Sequence, residues 1–575
     1  MRSAVEPRSD APATFETAAR APFTVAKLRI GLLVDGERSS KYDYNLARWS
    51  VAQADLEITH LIIHGPLGRG PGPLAKLARL VTSRGLGFLA GRALFALIAR
   101  AERLAFNRRA IHRDHFASFP IGELVERHVR IAPLVSKSGF SYRFSDEDVA
   151  RVAALDLDLL VRCGSGILRG KILNAARLGI ISFHHGDNRV NRGGPAGFWE
   201  TYFGWPKTGF VIQRLTEELD GGDVLARGYF PTQWLFALNQ AHLYTRAAVH
   251  FKSLLKRVAA TRELPKAEPS FPYSGRLYTL PTFGQSLIYC ARVGARLATR
   301  GARRLFGLRQ RWGLAFMEEN WRGAALRRGW SPALPKGHFW ADPFLIARDG
   351  KTYCFVEDFA YARGRGHIGV LDVGKNGVAE IGPALIEPFH LSFPFLFEYA
   401  GEIYMCPESA EARQIRIYRC TDFPLRWELA AVAMDDVSAV DTMLFERDGR
   451  WWMLTNMDHS GTGEHCSELY LFFAGSPLAT SWTPHPQNPI LIDPERARNG
   501  GLVCEGEKIF RLAQRQGFDR YGVGLSIFEI AELSPEKYHE ILVAEISSAF
   551  RDGLTGTHHL SATAKVTVVD HASYA

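Results

Sequence analysis

Residues 178–225 read LGIISFHHGDNRVNRGGPAGFWETYFGWPKTGFVIQRLTEELDGGDVL, and this stretch decides how the first half of the chain folds. Gly179 to Phe183 is a short apolar run of strand length, followed at once by polar and turn-forming residues. It delivers His184 at its carboxyl end, the edge of an open α/β sheet where ligands sit. A polar, glycine-rich loop follows over 186–195, then an aromatic helix start, an apolar strand from Gly209, and Leu219-Asp220-Gly221-Gly222. Asp220 lies 36 positions after His184. A histidine held by a carboxylate suits base catalysis, because the acid orients the ring and favours its charged form. Gly221 and Gly222 let the backbone approach a ligand closely.

Upstream, Leu28 to Val34 (LRIGLLV) ends at Asp35-Gly36, and Leu56 to Ile63 ends at His64-Gly65-Pro66. These predict two buried strands with a helix between them, hence a βαβ unit and a parallel sheet. Residues 66–118 open with Gly and Pro and continue as an Arg-rich amphipathic helix, which predicts an insertion. Leu157 to Val161 and Val224 to Pro231 predict further strands, and Asn239 to Ala259 a long amphipathic helix. Residues 1–22 have no apolar core and predict a disordered leader rather than a secretory signal. Gly85 to Leu104 is interrupted by Arg92 and Arg100, so it is not a spanning helix.

Between Gln285 and Arg311 the style changes. Arg292, Arg296, Arg300 and Arg304 recur every fourth residue with no acid between them. This predicts a basic amphipathic helix, suited to an anionic membrane surface or packed as a linker against one domain. The whole chain carries a net charge of +10, which points to anionic partners: phosphate-bearing substrates, anionic lipid or nucleic acid. Its seven cysteines include no CxxC pair, which argues against a disulfide framework and a zinc ribbon. No metal is expected, and a reducing cytoplasm fits.

From about residue 326 short strands dominate, separated by turns such as Arg348-Asp349-Gly350, Ala400-Gly401 and Arg447-Asp448-Gly449. Aromatic strands repeated at this spacing predict a propeller, with Lys565 to Val569 closing the ring. This half carries Asp342, Glu357-Asp358, Glu408, Asp441, Trp451-Trp452, Arg498, Gln514, Tyr521 and His558-His559. Aromatic faces stack on sugar rings and paired carboxylates do acid–base work on glycosidic bonds, so Asp342, Glu408 and Asp441 are the candidate site residues. The competing reading makes Asp342-Pro343 a blade turn and the tryptophans inter-blade core.

The segment around His184 resembles the 10-formyltetrahydrofolate-dependent formyltransferases, which include methionyl-tRNA and amino-sugar formyltransferases. His184, the loop residues Arg192, Gly193 and Pro195, the pair Thr208-Gly209, and Asp220 match the family pattern. The resemblance implies an α/β, Rossmann-like parallel sheet over 23–265 and 10-formyltetrahydrofolate as cofactor. It implies catalysis by His184 and Asp220, with the cofactor held near Arg192, Gly193, Thr208, Gly221 and Gly222. Ser182 departs from the family, standing where an Asn holds the formyl oxygen. The second half resembles the five-bladed propellers of glycoside hydrolase family 43. It is more closely similar to the amino-terminal domain of plant glucosamine inositolphosphorylceramide transferases. ADPF (341–344), HLSFPFLFE (390–398), YMCPES (404–409), RWWML (450–454) and HPQNP (485–489) carry that likeness.

Together these predict a leader (1–22), a formyltransferase-like α/β domain (23–265, insertion 66–118), a basic helical linker (266–325) and an all-β five-bladed propeller (326–572). The expected function is formyl transfer to an amine of a sugar or glycoconjugate, with the propeller binding the glycan. The alternatives are glycosyl transfer or glycan cleavage by the propeller, or a non-catalytic glycan-binding protein. The expected partners are an amino-sugar, nucleotide-sugar or lipid-linked sugar, and an anionic membrane through 285–311, without nucleic acid. The expected location is the cytoplasm, peripheral at the inner membrane.

Overall fold

The computed structural model describes residues 26–65, 85–106, 112–137, 139–218, 221–375 and 377–575. In the first half seven strands form one sheet: β1 (Leu28–Val34), β2 (Leu56–Ile63), β3 (His128–Arg130), β4 (Leu159–Arg162), β5 (Ile180–His184), β6 (Lys207–Arg214) and β7 (Asp223–Pro231). Their order across the sheet is β7-β6-β5-β4-β1-β2-β3. The pairs from β5 through β4, β1 and β2 to β3 are parallel, whereas β6 and β7 are antiparallel. β1 is a nearly unbroken apolar run because a central parallel strand is covered on both faces. Among the described residues six α-helices surround or flank the sheet: α1 (Lys41–Val51), α2 (Leu86–Phe106), α3 (Asp146–Ala153), α4 (Phe198–Phe203), α5 (Phe236–Thr261) and α6 (Phe283–Leu305). Residues 66–84 and 107–111 of the expected insertion lie outside the described residues.

From Gln310 onward the chain builds five antiparallel sheets. Four are consecutive meanders, beginning with His338–Arg348, Ser392–Tyr399, Ala439–Arg447 and Asn499–Glu505. The fifth joins Gln310–Met317 to the last strand, Thr567–Tyr574, in antiparallel register from Gln310↔Tyr574 to Met317↔Thr567. First strands of successive sheets pack side by side, and Leu560–Ala562 of the fifth sheet touches both Asn499–Glu505 and His338–Arg348. That closes a five-bladed ring, as a propeller requires, each blade keeping one outer edge strand. The closing strand begins at Thr567, and its partner lies upstream of residue 326, inside the segment expected to be helical linker.

The Arg row of α6 is turned inward. Arg292 donates to the Tyr202 carbonyl, and Arg296 to the Trp234 carbonyl at 3.2 Å. Arg300 pairs with Asp519 at 2.6 Å, and Arg303 donates to the Tyr574 hydroxyl at 2.8 Å. The expected lipid-facing stripe is therefore a packing face, because aromatic rings and carbonyls of both halves offer these guanidiniums desolvated partners.

The two halves are joined by one fully buried cation. Arg246 of α5 donates to Asp458 at 3.2 Å, Thr462 at 3.0 Å, the Glu464 carbonyl at 2.8 Å, and Glu468. Lys207 at the start of β6 adds Asp493 at 2.8 Å and Glu495 at 3.0 Å. Burial disfavours the Glu468 charge, yet His250 and Arg246 overcome it and hold this carboxyl well below the usual range. Arg246→Met strands two buried carboxylates, Asp458 and Glu468, and the half-buried Glu464. It should cost about 3–5 kcal/mol in denaturant unfolding near neutral pH. A depressed native pKa gives stability that is present above the unfolded carboxylate pKa and lost as pH falls. The gap between wild type and variant should therefore narrow below about pH 4.

Candidate active site

At the edge of the first-half sheet, β5 brings Ser182 and His184 to its carboxyl end, both buried. Ser182 lines a cavity of about 320 Å³ together with Asp43, Cys163, His185 and Tyr244. His185 lies flat on Tyr244, ring centroids 3.5 Å apart, and burial pushes its pKa down to about 3, so it is neutral. His184 turns elsewhere: its Nε2 lies 2.9 Å from the Asn191 carbonyl, and Asn191 in turn donates to the buried Glu200 at 2.8 Å. Asp220 lies outside the described residues. Arg192, Gly221 and Gly222 line a second cavity of about 420 Å³, where Arg192 pairs with Glu218 at 2.9 Å and stacks over Tyr273. Thr208 lines neither cavity; it is bonded to Thr232 and Asn239 in the core. Gly193 is required by packing, since a Cβ there would sit 2.1 Å from the Tyr278 carbonyl where the two backbones pair. Of the expected cofactor set, Arg192, Gly221 and Gly222 thus line one cavity and Gly193 and Thr208 line neither, while Ser182 lines the other cavity and His184 neither of the two.

The propeller axis gathers its residues differently. In four blades the first strand carries one extra residue against its partner and slips register there, at Asp342-Pro343, Phe393-Pro394, Asp441-Thr442 and Gly500-Gly501. Each slip holds one residue in left-handed backbone: Asp342 (φ 48°), Phe393 (φ 45°), Asp441 (φ 49°) and Gly501 (φ 124°). Asp tolerates that conformation better than most residues. The fourth slip needs glycine, because a Cβ on Gly501 would meet the Leu560 carbonyl at 2.4 Å. Such bulges re-aim side chains out of the regular pleat, here bringing Asp342 and Asp441 into one cluster.

There Asp342, Glu408 and Asp441 meet, the three acids singled out in the sequence, and Glu357, Asp570, Arg498 and His558 join them. Arg498 donates to Asp441 at 2.6 Å and lies 3.8 Å from Glu408. His558 bonds Asp570 through Nδ1 and faces Asp342 through Nε2 at 3.6 Å. Five carboxyls therefore face two cations. With all five ionised the cluster would hold three uncompensated negative charges in a water-poor space, so protons must stay on. Burial pushes Asp342 up to about 7 and Glu408 up to about 8, with the neighbouring Asp441 adding to both shifts. Burial and the surrounding acids also raise Glu357. Asp570 is held below the usual range because His558 outweighs its burial, and Asp570 in turn raises His558. Trp312 stacks on His558 at 4.0 Å and Tyr521 meets it edge-on. Glu408 and Arg498 keep 13% and 16% side-chain exposure, so the cluster is reachable from solvent.

Asp342, His558 and Asp570 each offer a ligand atom within 4.8 Å of the others, a spacing that fits a cation. The expectation of no metal rested on missing cysteine pairs, whereas this trio is oxygen and imidazole, from two strands and the loop that holds His558.

Residues 331–563 match the family model described as "Glucosamine inositolphosphorylceramide transferase 1, N-terminal". The chain is 38% identical over 223 residues to glucosamine inositolphosphorylceramide transferase 1 of Arabidopsis thaliana, covering 38% of this chain and 28% of the relative. It is 36% identical over 238 residues to the protein of that name in Oryza sativa subsp. japonica, covering 39% and 31%. The chain therefore spans less than a third of the length of these relatives. Among solved structures, the GH62 α-L-arabinofuranosidase catalytic domain of Coprinopsis cinerea gives a TM-score of 0.33 at 9% identity, covering 45% of this chain and 96% of that one. Zg3597, a family 117 glycoside hydrolase of Zobellia galactanivorans, gives 0.29 at 12%, covering 41% and 76%. Scores this low carry no argument, and the propeller rests on its own strand pairing.

The protonated acids make a prediction. A carboxyl whose native pKa is raised favours the folded state at low pH, and that advantage is lost as pH rises through the native pKa. Asp342→Asn removes the group that must charge, so it should stabilise the fold at pH 8 by on the order of 1–3 kcal/mol and change little at pH 5. Thermal unfolding at both pH values measures the difference.

Proposed function

We propose that the propeller axis is a glycan-processing site, in which Glu408 and Asp342 move protons as a glycosyl group passes to a hydroxyl acceptor or to water. The observation that supports this reading is two buried carboxyls from different blades, both displaced toward neutrality, beside an arginine, a histidine and an aromatic wall. Glu408, protonated more firmly, donates to the leaving oxygen as the glycosidic bond breaks. Asp342, ionised first as pH rises, takes the proton of the attacking hydroxyl. Arg498 and His558 hold Asp441 and Asp570, leaving the other carboxyls to exchange protons. The matched relatives bear the name glucosamine inositolphosphorylceramide transferase 1, which supports glycosyl transfer as the class of reaction and a lipid-linked sugar as substrate.

Turnover of activated aryl glycosides and sugar nucleotides by the full chain tests this. Glu408→Gln and Asp342→Asn should each lower kcat/KM by about 10²-fold or more, general acid–base catalysis typically contributing about 10²–10⁴. The wild-type profile should be bell-shaped, with its maximum between the two values near 7 and 8. Activity unchanged in both variants would exclude the axis as the reacting site.

A second reading keeps formyl transfer in the first half, with 10-formyltetrahydrofolate as donor and a sugar amine as acceptor. It is supported by Ser182 and His184 on one face of β5 at the carboxyl edge of a parallel sheet. Against it stands the Asn191 carbonyl on His184 Nε2. Calorimetric titration with 5-formyltetrahydrofolate decides: saturable binding that His184→Ala weakens about tenfold keeps the reading, and no binding removes it.

A further inference from the structure

We propose that α2 and α6 form one interfacial docking face for an anionic phospholipid bilayer, entered through apolar side chains rather than through the arginine row. Helices on a soluble protein bury their apolar stripe and expose their charges. α6 does the reverse. Its inner side presents Tyr289 and the guanidiniums already described, while the residues one helical stripe apart on its outer side, Leu287, Ala291, Gly294, Ala298 and Leu305, are all exposed and uncharged. Leu305 is 81% exposed. α2 adds exposed leucines to the same layer although its inner side is apolar. Phe95 and Ala99 are buried, whereas Leu86, Leu97 and Leu104 stand outward, the first 74% and the last 70% exposed.

The two helices belong to one layer. Gly91 of α2 lies against the backbone at Thr282 and Phe283, so close that a Cβ would meet the Phe283 nitrogen at 2.9 Å. Glu102 of α2 accepts from the Tyr289 hydroxyl at 2.5 Å and from the Ala237 amide at 2.8 Å, tying both helices to α5. Glu102 is the one acid on either helix, and it is buried. Arg92, Arg100 and Arg304 are exposed, and no carboxylate pairs with them among the described residues.

Apolar surface of this extent that no described residue covers is unusual on a monomer and marks a docking face. The charge around it selects the occupant: cations without anions favour a surface of phosphate headgroups. No described helix is long and apolar enough to cross a membrane, so the layer lies in the interface plane rather than spanning it.

Flotation of the full chain with vesicles of phosphatidylcholine and phosphatidylglycerol in a three-to-one ratio tests this. Wild type should float with them, and a substantial part should remain bound at ~0.5 M salt, where charge attraction is screened within a few Å. The pair Leu287→Glu and Leu305→Glu, checked for unchanged thermal unfolding, should lower the bound fraction about tenfold or more. Leu97→Glu should act in the same direction. Val51→Glu, at an exposed apolar position of α1, should leave binding intact. Failure of wild type to float at low salt, or equal loss in Val51→Glu, overturns the proposal. So does a dimer, seen by sedimentation velocity, that the α6 pair dissolves, since the face would then belong to a second copy of the chain.

Discussion

Where five carboxyl groups crowd two cations and little water reaches them, the proton becomes the counter-ion. Everything chemical about the ring follows from that imbalance. Arg498 takes Asp441 and His558 takes Asp570, each in direct contact. Asp342, Glu357 and Glu408 are left to share what remains, and all three are shifted upward. A group poised to give or take a proton near neutrality costs stability, because folding must bury it. The backbone contributes to that cost through the left-handed kinks at Asp342 and Asp441.

The same electrostatic logic runs in reverse at the junction of the halves. There one guanidinium is surrounded by Asp458, Glu464 and Glu468, and Glu468 keeps its charge because His250 and the buried cation outweigh its burial. Glu468 and Asp441 belong to the same sheet, on strands Glu468–Ala474 and Ala439–Arg447. The helix that anchors the first half therefore also holds a blade that supplies an acid to the axis. Such a contact fixes the blade, since one misplaced partner would strand a charge away from water.

The parts legible in the sequence are those set by local pattern. LRIGLLV and LEITHLII read as strands because a parallel sheet covers both their faces. Asp342, Glu408 and Asp441 were legible as acids beside aromatic strands, and the ring does bring them together. Asp570 was hidden in the apolar run VTVVD, and it reaches the axis only because the last strand returns to pair with Gln310–Met317. The four axial kinks read ADPF, SFPF, VDTM and NGGL. No residue is common to all four, and the last places its positive φ one residue later than the others, so no repeat shows in the letters. Gln310–Met317 was absorbed into the basic helix because Arg309 and Arg311 continue its arginine pattern. Nor could the sequence say which way the His184 ring turns, since that depends on where the Asn191 carbonyl arrives.

A net charge of +10 invites the idea of a basic catalytic site, and the structure separates the two. Its axis is lined by acids that largely shed their charge by keeping protons, so it favours ligands that offer hydroxyls over ligands that bring full charges. Along α6 the arginines are spent on carbonyls, aromatic rings and Asp519. The stripe on the opposite side of that helix is leucine, alanine and glycine, all exposed. The sign of the whole chain thus describes neither the axis nor the outward stripe. It reflects arginines used as structural donors between the halves, and the excess left at the rim of the α2–α6 layer is small enough that apolar area must carry most of any attachment there.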